Sequence, residues 1–194
     1  MKTHIFIDTF QPKTIDDIVY PSDDAKDLID DLISGAMPFP LTEGKNGILL
    51  YGLPGTGKSA LAKLLPHAID LARGGSGAWT KYERIEPGNN GMKVIKDVAA
   101  CALTMPLGLY NYFVLDEVDC LNNDAMKILK SVMNYPQTVF VLTTNHFESI
   151  EAGVIDRCHC IPFNAAPVEK WLPLARRILA HEGISGISDV QLLS

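Results

Sequence analysis

The sequence predicts an α/β protein with a mainly parallel, five-stranded sheet flanked by helices. The first observation is that short apolar runs alternate along the chain with segments of helical periodicity. The second is that residues 112–115 and 139–142 are apolar at every position rather than at alternate positions. Strands have this pattern when helices cover both faces of a parallel sheet, so we expect these two runs at its centre.

Each predicted element follows from a local pattern. We place the strands at residues 48–51, 82–85, 112–115, 138–143 and 159–162. We place the helices at residues 24–33, 58–71, 92–103, 123–134 and 168–181. The fourth helix shows its pattern most clearly, because Asn122 is a suitable N-cap and Ala125, Leu129 and Val132 then share one face.

Composition and charge narrow the class of protein. The 194 residues suffice for one well-buried domain, and the net charge of -6 argues against a surface that is cationic throughout. No apolar run approaches the roughly 20 residues that cross a bilayer, so we expect no membrane partner. His4 and Asp8 interrupt the stretch where a signal peptide would be apolar, which predicts a cytoplasmic protein.

Cys158-His159-Cys160 has no second Cys/His pair at ligand spacing, which argues against a metal site. We therefore expect all four cysteines to be reduced.

The strongest motif lies at residues 52–59, which fit G-x-x-x-x-G-K-S without a mismatch. The motif follows a predicted strand and opens a predicted helix, where backbone N–H groups and the helix dipole can hold phosphate. A glycine-rich turn that binds nothing is the alternative. We predict ATP binding, with Lys58 on the β- and γ-phosphates and the Ser59 hydroxyl on Mg²⁺. The predicted nucleotide contacts in this segment are Gly52, Pro54, Gly55, Thr56, Gly57, Lys58, Ser59 and Ala60.

An acidic pair, Asp116-Glu117, follows the predicted strand at residues 112–115. Ligands of open parallel sheets gather outside the carboxyl ends of the strands, which is where this pair would lie. We predict that Asp116 holds the Mg²⁺ shell and that Glu117 orients and polarises the attacking water. A solvated acidic loop is the alternative.

Together these residues resemble the AAA+ ATPases, and the chain is most similar to clamp-loader small subunits of the replication factor C type. The similarity runs from about Phe10 to the end of the sequence. It implies an AAA+ P-loop fold with a nucleotide-binding α/β domain at residues 1–163 and the beginning of a small helical lid at residues 164–194. It also implies that the family's sensor 2 arginine and collar domain lie beyond Ser194.

The resemblance assigns further site residues. Residues 9–19 resemble the family's opening segment, which implies adenine contacts from Phe10, Pro12, Ile18 and Val19. Asn145 falls on the sensor 1 position, where a polar side chain reaches the γ-phosphate or the attacking water. The alternative for Asn145 is a turn residue that caps the next helix.

Asp156-Arg157-Cys158 resembles the family's Ser-Arg-Cys motif. The resemblance implies that Arg157 is an arginine finger on the ATP of an adjacent subunit, a role that suits its permanent charge and planar fork. A surface arginine beside acidic residues is the alternative. The sequence departs from the family's pattern at two places. Phe10-Gln11 stands where the family usually has Tyr-Arg, and Asp156 stands where it has Ser. Because the site would be completed between subunits, we expect weak hydrolysis by the isolated chain.

Residues 89–96 correspond to a helix start that follows the DNA backbone in the resembling family. Lys93, Lys96 and the amides of a helix N-terminus can contact phosphates without reading sequence. Two lysines three residues apart more often mark a solvated helix face. Direct DNA contact is therefore a hypothesis at this stage.

We predict an ATP-binding and ATP-hydrolysing AAA+ module that resembles a subunit of a DNA polymerase sliding-clamp loader. Its expected partners are other AAA+ subunits in a homo- or hetero-oligomer, with a sliding clamp and primer-template DNA as further candidates. On replicating DNA its location would be the nucleoid or nucleus. The alternatives are a nucleotide-binding structural or regulatory subunit with little hydrolysis, and another AAA+ remodeller such as a helicase loader. For a protein unfoldase the aromatic candidates are Trp79 and Tyr82, which we interpret as core or strand residues.

Overall fold

The computed structural model describes residues 9–40 and 44–193. One sheet contains five strands: β1 (Gly47–Tyr51), β2 (Thr80–Arg84), β3 (Asn111–Asp116), β4 (Thr138–Thr144) and β5 (Cys158–Pro162). The strands lie in the order β2-β3-β4-β1-β5, and every neighbouring pair is parallel. The prediction of a five-stranded parallel sheet is confirmed, with β3 and β4 side by side at its centre.

Helices lie on both faces of the sheet. The α-helices are α1 (Asp23–Ser34), α2 (Lys58–Ala72), α3 (Met92–Ala102), α4 (Asn123–Val132), α5 (Ala152–Ile155), α6 (Leu172–His181) and α7 (Asp189–Leu193), of which α1 to α4 supply the two core layers. Single 3₁₀ turns span Ile15–Asp17, Val118–Cys120, Phe147–Ser149 and Val168–Trp171. Asn122 caps α4 as predicted, because its side chain accepts a hydrogen bond from the Ala125 N–H at 2.9 Å.

The predicted helix at residues 168–181 was wrong in its first turn, which is 3₁₀. The α-helix itself begins at Leu172, and Pro173 lies at its start, where the missing N–H of proline removes no intrahelical bond. The division of the chain between residues 163 and 164 stays a prediction.

The core consists of two apolar layers, one on each face of the sheet. On one face, Leu49, Phe113 and Phe140 pack with residues of α3 and α4. On the other face, Val114 and Val141 pack with residues of α1 and α2. Successive residues of a strand point to opposite faces, so a strand covered on both sides must be apolar throughout. This explains the continuous apolar runs of β3 and β4.

The interpretation of Trp79 and Tyr82 as core or strand residues is confirmed for Tyr82, which lies in a strand, and was wrong for Trp79, which lies in neither. Tyr82 belongs to β2, but β2 is an edge strand, and 38% of Tyr82 and 42% of Trp79 are exposed.

The parallel sheet brings the carboxyl ends of β1, β3 and β4 to one edge, where ligands of such sheets bind. Within the described ranges, the helices are too short or too polar to cross a bilayer.

Candidate active site

The loop between β1 and α2 depends on glycine. The backbone φ is +141° at Gly52 and +97° at Gly57, in the range that other residues adopt only with strain. A Cβ on Gly52 would also lie 2.4 Å from Oδ1 of Asn164. The loop therefore packs closely against the chain that follows β5, and it leads directly into the N-terminus of α2.

Lys58 lies within this loop and is only 6% exposed. Its Nζ donates to the carbonyl oxygens of Gly52 and Leu53, at 2.9 and 2.5 Å. Burial lowers the pKa of the Lys58 ammonium, while Asp116 and Asp119 oppose that shift. The positive charge of Lys58 therefore lies in the lining of the same cleft as Glu117.

Phe163 and Asn164, which follow β5, form hydrogen bonds with the loop. These two residues were not among the predicted site residues. Oδ1 of Asn164 accepts from the Leu53 N–H at 3.1 Å, and the Thr56 hydroxyl donates to the Phe163 carbonyl at 2.7 Å. The available signal was the position of Phe163-Asn164, directly after a parallel strand and therefore at the ligand-binding edge of the sheet.

The carboxylate of Asp116 faces the loop and is 4% exposed. Its Oδ1 accepts from the hydroxyls of Ser59 at 2.7 Å and Thr143 at 2.5 Å, and its Oδ2 accepts from the Tyr82 hydroxyl at 3.0 Å. Burial would raise the pKa of Asp116, but these three hydrogen bonds and the charge of Lys63 outweigh it, so the pKa lies below its usual range. Asp116 is therefore an ionised carboxylate at neutral pH.

Glu117 adopts a left-handed backbone conformation, with φ 62° and ψ 49°. Its N–H donates to the Thr143 hydroxyl at 3.0 Å. Its Oε1 accepts from Nη2 of Arg84 at 2.9 Å. Neither Thr143 nor Arg84 was among the predicted site residues, because both contacts depend on how the neighbouring strands align.

The structure brings most of the predicted phosphate and catalytic residues, but not Gly52 or Arg157, to the lining of a cleft of about 270 Å³. Lys58, Ser59, Glu117 and Asn145 line it together with the rest of the loop. Asn145 follows β4 and is partly buried at the edge of the cleft. The lining residues are Pro54, Gly55, Thr56, Gly57, Lys58, Ser59, Ala60, Glu117, Thr143 and Asn145.

A second, apolar pocket of about 330 Å³ adjoins this cleft. The four residues predicted to contact adenine line it, namely Phe10, Pro12, Ile18 and Val19. Gly55, Thr56, Gly57 and Ala60 line both spaces. Trp171 and Leu174 form part of the wall and were missed, since nothing local to them in the sequence indicates that the final helices fold back over residues 10–19.

Arg157 lines neither space. Its Nε donates to Oδ1 of Asn134 at 2.8 Å, and its Nη1 donates to the Gly153 carbonyl at 2.7 Å. The guanidinium is partly exposed and is held in one orientation at another part of the surface. Arg157 cannot complete the phosphate cleft of its own chain without leaving these two partners.

Ser59 and Asp116 offer the oxygen ligands that Mg²⁺ prefers, and their side chains are already 2.7 Å apart. Among the residues that the structure describes, no cluster of three or more His, Cys, Asp and Glu could hold a metal ion. A metal bound here would therefore need phosphate oxygens and water as further ligands, which is how Mg²⁺ is usually held with nucleotides. The residues present fit that arrangement.

A family model described as the ATPase family associated with various cellular activities (AAA) matches residues 48–163. The chain belongs to this AAA family. The resemblance to AAA+ ATPases and the prediction of their P-loop fold are thereby confirmed. Membership implies that this AAA protein binds nucleotide with a divalent metal.

Relatives of this AAA protein include replication factor C small subunit 2 of Pyrobaculum islandicum, which is 30% identical over 97% of this chain and 57% of the relative. Replication factor C small subunit of Thermofilum pendens is 27% identical over 95% of this chain and 55% of the relative. The chain thus spans little more than half the length of the relatives that it matches.

Two solved structures show the same fold. The Thermotoga maritima RuvB Holliday junction branch migration motor superposes with a TM-score of 0.67 at 15% identity, over 91% of this chain and 56% of that one. A DNA polymerase III gamma subunit-related protein of Thermotoga maritima superposes with a TM-score of 0.56 at 17% identity, over 81% and 54%. At these identities the likeness concerns the AAA fold alone.

Proposed function

We propose that this AAA protein binds and hydrolyses ATP as one subunit of an oligomer that loads a sliding clamp onto DNA. The observation that carries the ATPase part is the continuity of the two spaces at the edge of the sheet. An apolar pocket suits a base, a loop of backbone amides with Lys58 suits phosphates, and the Ser59–Asp116 pair suits Mg²⁺. Gly55, Thr56, Gly57 and Ala60 line both spaces, which supports an arrangement in the order of base, phosphates and metal.

The residues of the cleft would divide the work of hydrolysis. Lys58 and the loop amides stabilise negative charge on the phosphates, and Ser59 and Asp116 would hold Mg²⁺, which neutralises charge on the phosphate oxygens. Glu117 accepts the proton of the attacking water, and Asn145 orients that water or the γ-phosphate. Arg84, which donates to Oε1 of Glu117, would compete with the water for this carboxylate.

Arg157 would act on the nucleotide of a neighbouring subunit. Its absence from the lining of its own cleft and its partly exposed guanidinium, held by Asn134 and Gly153, support that role. An Arg supplied across an interface stabilises charge in phosphoryl transfer and makes hydrolysis depend on assembly. The isolated chain would therefore bind ATP but turn it over slowly.

The clamp-loading role rests on the similarity to replication factor C small subunits, which the chain matches over little more than half of their length. Two surface features are compatible with it. The segment between α3 and β3 exposes apolar side chains to solvent, namely Leu103, Met105 and Leu107, and such a patch suits a protein partner. Lys93 and Lys96 are exposed on α3, where they could contact a DNA backbone in an assembled ring.

Steady-state ATP hydrolysis with and without primer-template DNA tests this function, with Glu117→Gln and Arg157→Ala as variants. We expect DNA to raise the rate and both variants to abolish the increase. Nucleotide binding without any turnover, with DNA present or absent, would contradict hydrolysis by this chain.

Binding without turnover would favour the second candidate function, that of a nucleotide-binding regulatory subunit. The Arg84–Glu117 ion pair, which occupies the base, is the observation in its favour.

A further inference from the structure

Three hydroxyl groups converge on the buried carboxylate of Asp116. Ser59 comes from the phosphate loop, but Tyr82 and Thr143 come from β2 and β4, the two strands that flank β3. We propose that Tyr82 and Thr143 are positioning residues, which together hold Asp116 and Glu117 in the orientation that metal binding and hydrolysis require. The proposal rests on the proposed ATPase function and assigns roles to two residues that its mechanism does not use.

The sheet register explains why Tyr82 can reach Asp116. Arg84 is the direct neighbour of Asp116 across β2 and β3, and Tyr82 lies two residues earlier on the same face. A side chain at position 82 must therefore extend along the strand to meet the carboxylate, and the length of a tyrosine allows it to do so. The Tyr82 hydroxyl ends 3.0 Å from Oδ2 of Asp116.

Lys63 fixes the ring that carries this hydroxyl. Its Nζ lies 4.4 Å from the centroid of the Tyr82 ring, a distance at which a cation is attracted to an aromatic face. Lys63 belongs to α2, the helix that the phosphate loop opens. The ring is therefore tied to the same helix that supplies Ser59, although β2 is an edge strand and Tyr82 is partly exposed.

Thr143 contacts both members of the acidic pair. Its hydroxyl donates to Oδ1 of Asp116 at 2.5 Å and accepts from the Glu117 N–H at 3.0 Å. A left-handed backbone is unfavourable for a residue with a Cβ and persists where the surroundings impose it. The bond from Glu117 to Thr143 is one such constraint, because it closes the turn that directs the Glu117 side chain into the cleft.

The two residues have different expected effects on the site. Of the acidic pair, the Tyr82 hydroxyl contacts Asp116 alone, so it should matter for the metal. Thr143 contacts Asp116 and Glu117, so its hydroxyl should matter for the metal and for the position of the base. Loss of a residue that orients a metal-binding carboxylate commonly lowers metal affinity or activity by roughly 10- to 100-fold.

The experiment removes one hydroxyl at a time by Tyr82→Phe and Thr143→Val. Fluorescent ATP is titrated at increasing Mg²⁺, with a parallel titration in EDTA, and single-turnover hydrolysis is measured at saturating Mg²⁺. We expect Tyr82→Phe to need about tenfold more Mg²⁺ for half-maximal binding, with unchanged binding in EDTA and a near-normal rate at saturation. We expect Thr143→Val to show the same loss and, in addition, a rate about tenfold lower at saturation.

Two controls separate positioning from a general structural effect. Tyr110→Phe removes a tyrosine hydroxyl just before β3, at the end of the strand opposite to Asp116, and should leave every measurement unchanged. Thr143→Ser keeps the hydroxyl and should restore wild-type behaviour. Should Thr143→Val fail to fold, Tyr82→Phe decides the question alone, because it changes one atom on a partly exposed edge strand.

The proposal is overturned if folded Tyr82→Phe has the Mg²⁺ dependence and the hydrolysis rate of the wild type. It is also overturned if Tyr110→Phe produces the same changes as Tyr82→Phe. A wild-type protein that binds no fluorescent ATP at any Mg²⁺ concentration would instead contradict the proposed function. The two failures are therefore distinguishable in one set of titrations.

Discussion

Nη2 of Arg84 lies 2.9 Å from Oε1 of Glu117, so the carboxylate expected to act as the base is engaged in an ion pair. Arg84 ends β2 and Glu117 follows β3, which makes the pair a direct consequence of the parallel register of the two strands. A second carboxylate, that of Glu86, lies 3.7 Å from Nε of the same guanidinium. Arg84 could therefore release Glu117 without losing every acidic partner.

Replacing Arg84 by Met should increase ATP hydrolysis. The substitution keeps an unbranched side chain but removes the positive charge that competes with water for Glu117. We expect a several-fold rise in the steady-state rate without a change in nucleotide affinity, which is measured by titration with fluorescent ATP. Because the ion pair is exposed and screened by solvent, the change should not exceed about fivefold. An unchanged or lower rate would mean that Arg84 does not restrain the base.

Arg157→Ala and Glu117→Gln should complement each other when mixed. Each variant alone should be inactive, because one lacks the finger and the other lacks the base. In a 1:1 mixture, about one quarter of the interfaces would pair an intact Glu117 with an intact Arg157 from the neighbour, and about one quarter of the wild-type rate should return. A mixture as inactive as its components would contradict an active site shared between subunits.

The contact between Arg177 and Asp17 should make stability depend on acid pH. Nη1 of Arg177 lies 2.7 Å from Oδ1 of Asp17 and links α6 to the turn that lines the apolar pocket. This hydrogen bond, followed by that from the Lys13 N–H, lowers the pKa of Asp17 from 3.8 to about 2. Since the folded pKa lies below the unfolded value, the contact stabilises fully above about pH 4 and is lost as the pH falls through about 2.

Asp17→Asn should therefore lower the melting temperature above about pH 4, and its difference from the wild type should shrink as the pH falls towards 2. The effect should be small, at most about 1 kcal/mol, because the pair is partly exposed and screened by solvent. Thermal unfolding followed by circular dichroism between pH 2 and 7 measures it. Asp16→Asn is the matched control and should show no such trend. A difference that is constant at all pH values would exclude the ionic contact as its cause.

Gly47→Ala should destabilise the fold. A Cβ on Gly47 would lie 2.5 Å from Sγ of Cys158 and 2.7 Å from Cε of Met133, where β1 meets β5 and the end of α4. Overpacking of this kind costs about 1–3 kcal/mol. Denaturant unfolding measures the loss, and adding Cys158→Ala should recover part of it by making room. A stability equal to that of the wild type would show that the two side chains move aside freely.

The sheet and the phosphate loop could be predicted because their signals are local. Continuous apolar runs mark β3 and β4, and the pattern at residues 52–59 contains its own glycines, lysine and serine. The acidic pair could be predicted for a similar reason, since it directly follows an apolar strand. Strand ends differed from the prediction by no more than two residues.

The contacts that orient the site could not be predicted, because they join residues far apart in the chain. Tyr82 and Asp116 are 34 residues apart, and Thr143 and Asp116 are 27 apart. Whether they meet depends on strand order and register, which no local pattern encodes. The same applies to Trp171 and Leu174, whose place in the pocket wall depends on the fold of α6 over residues 10–19.

The most direct test of the central claim is calorimetric titration of the protein with ATP and Mg²⁺, for the wild type and for Lys58→Ala. Lys127→Ala, which removes an exposed lysine from α4, is the control. We predict micromolar binding to the wild type and the control, and binding about 10- to 100-fold weaker to Lys58→Ala, the usual effect of losing a hydrogen bond to a charged group. Equal affinity in all three proteins, or no binding to the wild type, would contradict nucleotide binding at residues 52–59.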